Sequence, residues 1–195
     1  WNDLSVLGPL ARNVADVALL LSVLAGPDPK APLSISEPGE TFDAPLECDV
    51  RGVRAAWSPD LGCFPVERAV LDVLEAALPV FSDLGCQVEE AHPDFSDADE
   101  IFQTLRAHSF ASEHAHELKA HRDLLKDTVV WNIEKGLSLN ARDLARAHLQ
   151  RARLYDRVRQ FFEIFDFLIL PVTQVVPFDI ENEWVREIDG VELET

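Results

Sequence analysis

The sequence predicts an α/β fold. Three observations carry that prediction. Residues 53–89 read strand, helix, strand; long stretches of helical periodicity follow; and an apolar run at 166–172 comes directly after the last of them.

The first element is a helix over residues 14–25, with Val14, Val17, Leu21 and Leu24 at helical spacing. Asn13 suits its N-cap, and Gly26–Pro27 stops it. Leu19 and Leu20 make it apolar nearly all round, so burial is expected. Residues 27–50 hold Pro27, Pro29, Pro32, Pro38 and Pro45 without periodicity and read as a long surface connection. Residues 53–57 alternate like a strand. Residues 66–84 form a strongly amphipathic helix that Pro79 kinks or shortens. Gly85 ends it, and residues 86–89 read as the second strand. Strand, helix and strand this close make a βαβ unit with parallel strands.

Residues 97–120 are helical, with a break near residues 121–124. A further helix runs to Lys135 and stops at Gly136. Asn140 and Asp143 form a capping pair that opens a helix to about Phe165. Leu144, His148, Ala152, Tyr155, Phe162 and Phe165 are placed near one face of it. The run 166–172 suits a fully buried parallel strand. The acidic tail after Pro177 reads as loosely held. Three short strands are few for so many helices, and the first helix has no strand before it. Both points predict sheet partners outside this chain.

Acids outnumber bases 35 to 17, giving a net charge of −18. That argues against nucleic acid, whose phosphates need basic surface, and against anionic lipid. Cys48, Cys63 and Cys86 form no CxxC pair and fit a reducing, cytoplasmic setting. No apolar run approaches the length of a membrane span, and no signal peptide is recognised. The chain has no Met and opens on Trp1, from which a piece of something longer is expected.

The search for chemistry finds no GxSxG elbow, no SxxK and no glycine-rich phosphate loop. His114, Glu117 and His121 share a helix face that suits zinc or iron, but no second ligand segment exists. A solvated polar face is the preferred reading, and no metal site is assigned. Asp94, Asp97, Asp99 and Glu100 are read as helix-capping acids, with Ser96 or Asp97 at the cap. Trp131 and Asn132 could line a pocket, and for Trp131 core is the preferred reading. The residues alone give no catalytic centre.

One resemblance adds to this. Residues 4–32, LSVLGPLARNVADVALLLSVLAGPDPKAP, resemble the segment that follows the catalytic loop in the amidase signature family. Leu7, Gly8, Pro9, Leu10, Arg12, Val14, Asp16, Gly26 and Asp28 stand in matching positions. The acid that often opens the motif is Ser5 here, or is displaced to Asp3. RGVRAAWSPDLG at 51–62 is similar to a family strand. RARLYDRVRQFFEIFDFLILPVTQVVPFD at 151–179 is similar to the family's helix and "D-x-x-x-x-P" strand. The three matches keep family order and spacing.

The resemblance implies one partial amidase-signature domain over residues 1–195, with a mixed sheet and flanking helices that include the βαβ unit. It implies hydrolysis of the carbon–nitrogen bond of a small carboxamide, without metal or organic cofactor. In the family a Ser–cis-Ser–Lys triad, preceding the segment matched here, activates the nucleophilic serine. Backbone N–H groups stabilise the tetrahedral oxyanion. None of Lys30, Lys119, Lys126 and Lys135 matches the triad lysine, so no catalytic residue is assigned and the isolated chain is expected to be inactive. In one branch of the family an arginine fifteen residues ahead of the strand's aspartate contacts a substrate carboxylate. That offset from Asp166 lands on Arg151. The preferred alternative is that Arg151 pairs with a nearby acid, such as Asp156 or Glu163 on the same helix or a residue on a neighbouring element. The other class of function left open is a non-catalytic binding or interaction module on the same fold. Exposed sheet edges and apolar faces at 14–25 and 167–170 lead to an expectation of self-association, which a monodisperse, cooperatively melting monomer would contradict.

Overall fold

The computed structural model describes residues 4–193, so Trp1 and the displaced acid Asp3 lie outside the described residues. The chain divides into two compact units, residues 1–49 and 50–195.

In the first unit, helix α1 covers Val14–Leu24. Asn13 caps it as expected, its side-chain oxygen accepting the Asp16 N–H at 2.8 Å. A 3-10 turn at Gly39–Asp43 packs on α1, and a Cβ on Gly39 would lie 2.0 Å from the Ser22 carbonyl oxygen. The expected burial of α1 is not found. Val14, Leu19, Val23 and Leu24 are all exposed, Val23 to 77%. A helix apolar on every side needs cover on every side, and one short turn supplies it on one.

In the second unit, β1 (Arg54–Trp57) is the central strand. It pairs in parallel with β2 (Gln87–Glu90) on one side, Arg54 opposite Gln87 and Trp57 opposite Glu90. On the other side it pairs in parallel with β3 (Phe167–Ile169), Ala55 opposite Phe167 and Trp57 opposite Ile169. The order β2-β1-β3 contains the βαβ unit. Its crossover is split as Pro79 requires, into α2 (Arg68–Ala77) and α3 (Pro79–Asp83). Gly85 ends it at φ +92°, where a Cβ would lie 2.6 Å from Cγ of Arg51. β1 is buried throughout its last three residues, while β3 is only partly covered and Phe167 is 61% exposed. The continuous apolar run at 166–172 is therefore not a fully buried strand. Among the described residues β3 is an edge strand with one neighbour.

Helix α4 (Ala98–His121) ends in a 3-10 turn, Arg122–Leu124, where the break was expected. Helix α5 (Asp127–Ser138) runs through Gly136, which does not stop it. Gly136 is buried because α4 crosses there. A Cβ at that position would sit 1.9 Å from the Ala107 carbonyl oxygen and 2.7 Å from the Ala111 methyl. Backbone on backbone leaves no flexible atom to yield, so only glycine permits this approach.

Helix α6 (Ala141–Phe161) opens with the expected capping box between Asn140 and Asp143. It stops four residues earlier than the sequence predicted. Its covered face also differs. Ala147 is buried and Leu144, Leu154 and Val158 are half-buried, whereas His148, Ala152 and Tyr155 point to solvent. Tyr155 and Ala152 stand one position off the seam that Leu144, Ala147, Leu154 and Val158 define. Arg157 joins α6 to the start of α4. Its Nε donates to the Asp94 carbonyl at 2.9 Å, and its Nη2 pairs with the Asp97 carboxylate. Asp97 occupies the N-cap of α4 but makes no side-chain cap bond. Its charge serves the contact between helices.

The tail is not loosely held throughout. Residues Glu187–Ile188 (β4) and Val191–Glu192 (β5) form an antiparallel hairpin. Asp189 and Gly190, at φ 47° and 85°, make the two-residue turn that right-twisted strands favour. Ile188 is 4% exposed, and the Asp189 carboxylate accepts the Arg68 N–H at 2.9 Å, at the open end of α2. Both pairing senses thus occur, parallel in the three-stranded sheet and antiparallel in the hairpin. Among the described residues no helix is long and apolar enough to cross a membrane.

The glycine crossing gives the first prediction. Gly136→Ala forces α4 and α5 apart and lowers stability by about 3 kcal/mol, read from the urea midpoint. An unchanged midpoint would show that the crossing is looser than described.

Candidate functional site

Parallel pairing carries the ends of β1 and β3 to the same side, where α/β sheets receive ligands. The turn after β1 is built tightly. The Ser58 N–H donates to the Ile169 carbonyl at 2.9 Å, extending the β1–β3 ladder by one step. Buried Ser58 then accepts the Leu61 N–H on its Oγ at 2.9 Å, and Asp60 accepts the Gly62 N–H at 2.7 Å. Leu61 and Gly62 both take positive φ, and a Cβ on Gly62 would strike the His92 ring at 2.3 Å. This turn presents Cys63, Phe64 and Pro65.

The loop after β3 is stitched to the same turn. The Glu67 N–H donates to the Gln174 carbonyl at 2.8 Å, and Gln174 Nε2 donates to the Pro65 carbonyl at 2.8 Å. The Val176 N–H donates to the Glu67 carboxylate at 2.9 Å. Over this floor stands a cleft of about 830 Å³. The first turns of α4 line it with Asp99, Gln103 and Thr104; α5 lines it with Trp131 and Lys135; β5 closes one side.

One wall is aromatic. Trp131 is 40% exposed, so the core reading of this residue is corrected. The Lys135 ammonium lies 4.5 Å from its ring centroid and holds the indole against the cleft. Its neighbour Asn132 is buried, accepting from Arg106 Nε at 3.1 Å and donating to the Thr128 carbonyl at 2.8 Å. Tryptophan in α5 is therefore a wall, and asparagine is the buried anchor behind it.

Cys63, on this cleft, is not an activated nucleophile. The Cys63 thiol is pushed up from its ordinary range. Lost hydration at the sulfur is the main cause, followed by the carboxylates of Asp60, Asp94 and Asp99. The residue as a whole is exposed and is one of those that line the cleft. At neutral pH it stays a thiol, the less reactive form. Asp94, by contrast, is held below the usual carboxylate range. The Ser96 backbone N–H is the main cause, then the Ser96 hydroxyl, with smaller help from Arg157 and His92.

Arg151 is half-buried on α6, is engaged, and is not among the residues lining this cleft. Two of the acids weighed as its partners also bind Arg159. Arg159 binds Asp156 at 3.0 Å and also pairs with Glu163. Nor does the histidine face make a metal site. His114 Nδ1 lies 4.0 Å from the Glu117 carboxylate and packs edge-on against Phe110, and among the described residues no cluster is fit to hold a metal.

The sheet, its strand-end cleft and the helices over it define an α/β domain, and its relatives identify the family. A family model for amidases matches residues 2–189, and the chain belongs to that family. It is 32% identical over 188 residues to an acylamidase of Rhodococcus erythropolis, covering 95% of this chain and 39% of that protein. It is 27% identical over 173 residues to an amidase of Pseudomonas putida, covering 86% of this chain and 36% of that one. A solved bacterial aryl acylamidase of the amidase signature family superposes with a TM-score of 0.82 at 25% identity, covering 96% of this chain and 41% of that structure. The chain thus spans about two-fifths of the length of the relatives it matches.

Because the Cys63 thiol is raised, its alkylation by iodoacetamide at pH 8 is slower than that of a free cysteine thiol and climbs at higher pH. Asp60→Asn removes one raising charge and speeds it at pH 8. A rate at pH 8 equal to that of free cysteine, followed on the Cys63 peptide by mass spectrometry, contradicts this electrostatic picture.

Proposed function

We propose that residues 1–195 form the post-catalytic, substrate-shaping segment of one amidase domain. The whole protein hydrolyses the carbon–nitrogen bond of a small carboxamide. The observation that carries this reading is the alignment of 95% of the chain with two-fifths of an acylamidase, beside a strand-end cleft walled by Trp131 and Lys135. Binding and orientation belong to these residues, and the nucleophile belongs to the remainder of the domain. The exposed faces of α1 and β3 support packing against other chain segments, or against a second copy when this chain stands alone. The non-catalytic module is not favoured, since the matches over most of the chain are to amide-cleaving enzymes.

We assign Arg151 to contact with a carboxylate on the substrate. Support comes from the family resemblance, which places a carboxylate-contacting arginine fifteen residues ahead of the strand's aspartate, here Asp166, whose carboxylate accepts the Arg54 N–H at 2.9 Å. A guanidinium fork suits a carboxylate in two-point contact.

The full-length protein is expected to release amine or ammonia from simple amides, and the isolated 195-residue chain is expected to release none above the blank. In the full-length protein Arg151→Ala raises KM for an amide bearing a carboxylate roughly tenfold to a hundredfold, and leaves KM for a neutral amide unchanged. Equal effects on both substrates would remove the assigned role. No turnover of any amide by the full-length protein would remove the amidase reading.

A further inference from the structure

Helix α6 has two long faces. One is held to the domain by Leu144, Ala147, Leu154 and Val158. The opposite face carries Arg142, Ala145, Leu149, Ala152 and Asp156, all exposed. The steps between these five are three, four, three and four residues. That is the seam spacing by which one helix packs along another. Leu149, at the middle of the seam, is 54% exposed.

The seam is complementary to itself. Arg142 lies seven residues before Leu149, and Asp156 lies seven after it. A two-fold axis that sets two α6 helices side by side and antiparallel exchanges the two ends. Arg142 of each copy then lies beside the partner's Asp156. Near the axis, Leu149 of one copy meets the small Ala152 of the other, and large against small is how facing layers interdigitate. A parallel pair would instead set arginine on arginine and aspartate on aspartate.

The local charges agree with this arrangement. The Arg142 side chain has no ion-pair partner among the described residues. Asp156 accepts from Arg159 at 3.0 Å and from Gln160 Nε2 at 2.7 Å, and a carboxylate can accept about four such bonds. Arg146 borders the seam, but Glu100 meets its charge at 3.1 Å. Six of the chain's 17 basic side chains stand on α6, against two aspartates. In a chain of net charge −18, this helix is where a second copy meets least repulsion from acids. One helix pair covers less than the roughly 1,200 Å² of a standard interface, so association is weak and concentration-dependent.

We propose that the outward seam of α6 is a homodimer interface, in which two copies pack antiparallel about Leu149 and Ala152. The proposal is independent of the amidase reading.

The test is sedimentation velocity of the full-length protein over a concentration series. A monomer–dimer equilibrium is expected. Leu149→Lys weakens it roughly tenfold or more, and the exposure of Leu149 leaves the fold intact. Arg142→Asp and Asp156→Arg each weaken self-association. An equimolar mixture of these two variants restores it, because every mixed interface then holds two opposite-charge pairs. A purely local effect on α6 would not be reversed by mixing. A protein that stays monomeric at every concentration, its seam covered by other parts of the chain, overturns the proposal. So does a dimer indifferent to Leu149→Lys, or a pair of folded charge variants that mixing does not restore. None of these outcomes bears on amide hydrolysis.

Discussion

The parallel pairing of Arg54–Trp57 with a strand on each side is the constraint on which the second unit depends. Because both pairings are parallel, every strand points the same way and every following loop leaves from one edge. The clamp at the start of β3 sets the register. The Asp166 N–H donates to the Arg54 carbonyl at 2.8 Å, and the Asp166 carboxylate takes the Arg54 N–H in return. The Arg54 side chain then reaches both neighbours, lying 5.0 Å over the Phe165 ring and 3.4 Å from the Glu89 carboxylate. A slip by one residue would turn Ala55 and Trp57 to the other face and move the Ser58 turn out from under the cleft.

The helices are placed over that edge by close contact more than by large side chains. The core is rich in alanine, with Ala55, Ala56, Ala107, Ala111 and Ala147 all buried. Small residues let backbones approach, and Gly136 against the Ala107 carbonyl is the extreme case. Such contacts fix helix positions finely but remove little apolar area from water, at roughly 25 cal/mol per Å². Charge supplies the remaining links. Arg157 ties α6 to the entrance of α4, Arg122 ties the 3-10 turn to Glu134 at 2.6 Å, and Arg146 ties α6 to Glu100 at 3.1 Å. In a chain of net charge −18, each arginine placed between acids also relieves repulsion at the contact it makes. The Arg157 pair is the most sheltered of these and the one most able to hold in salt.

Much of this was legible in the sequence where local chemistry decides the outcome. The Asn13 cap, the Pro79 break, the break after residue 121 and the Asn140–Asp143 box all sit where their side chains predict. Errors arose where tertiary contact decides. Gly136 looks like a helix stop and is a crossing point. Tyr155 looks like core and is exposed, because the seam of α6 follows Ala147 and Leu154. Trp131 looks like core and is a cleft wall, because a tryptophan shows nothing local of which face will be covered. The hairpin had a readable sign in Asp189–Gly190 between Ile188 and Val191, and the acidity of the tail obscured it. The family was readable from three motifs in order. The cleft was not, since its lining comes from five separate segments that only the fold brings together.

Under the proposed division of labour the cleft residues bind and do not react, and one measurement separates the two. Steady-state hydrolysis of butyramide by the full-length protein and its Trp131→Leu variant gives kcat and KM for each. A residue that only shapes the substrate site raises KM and leaves kcat within about twofold. A collapse of kcat with KM unchanged would place Trp131 in the chemical step and contradict the division of labour proposed for this segment.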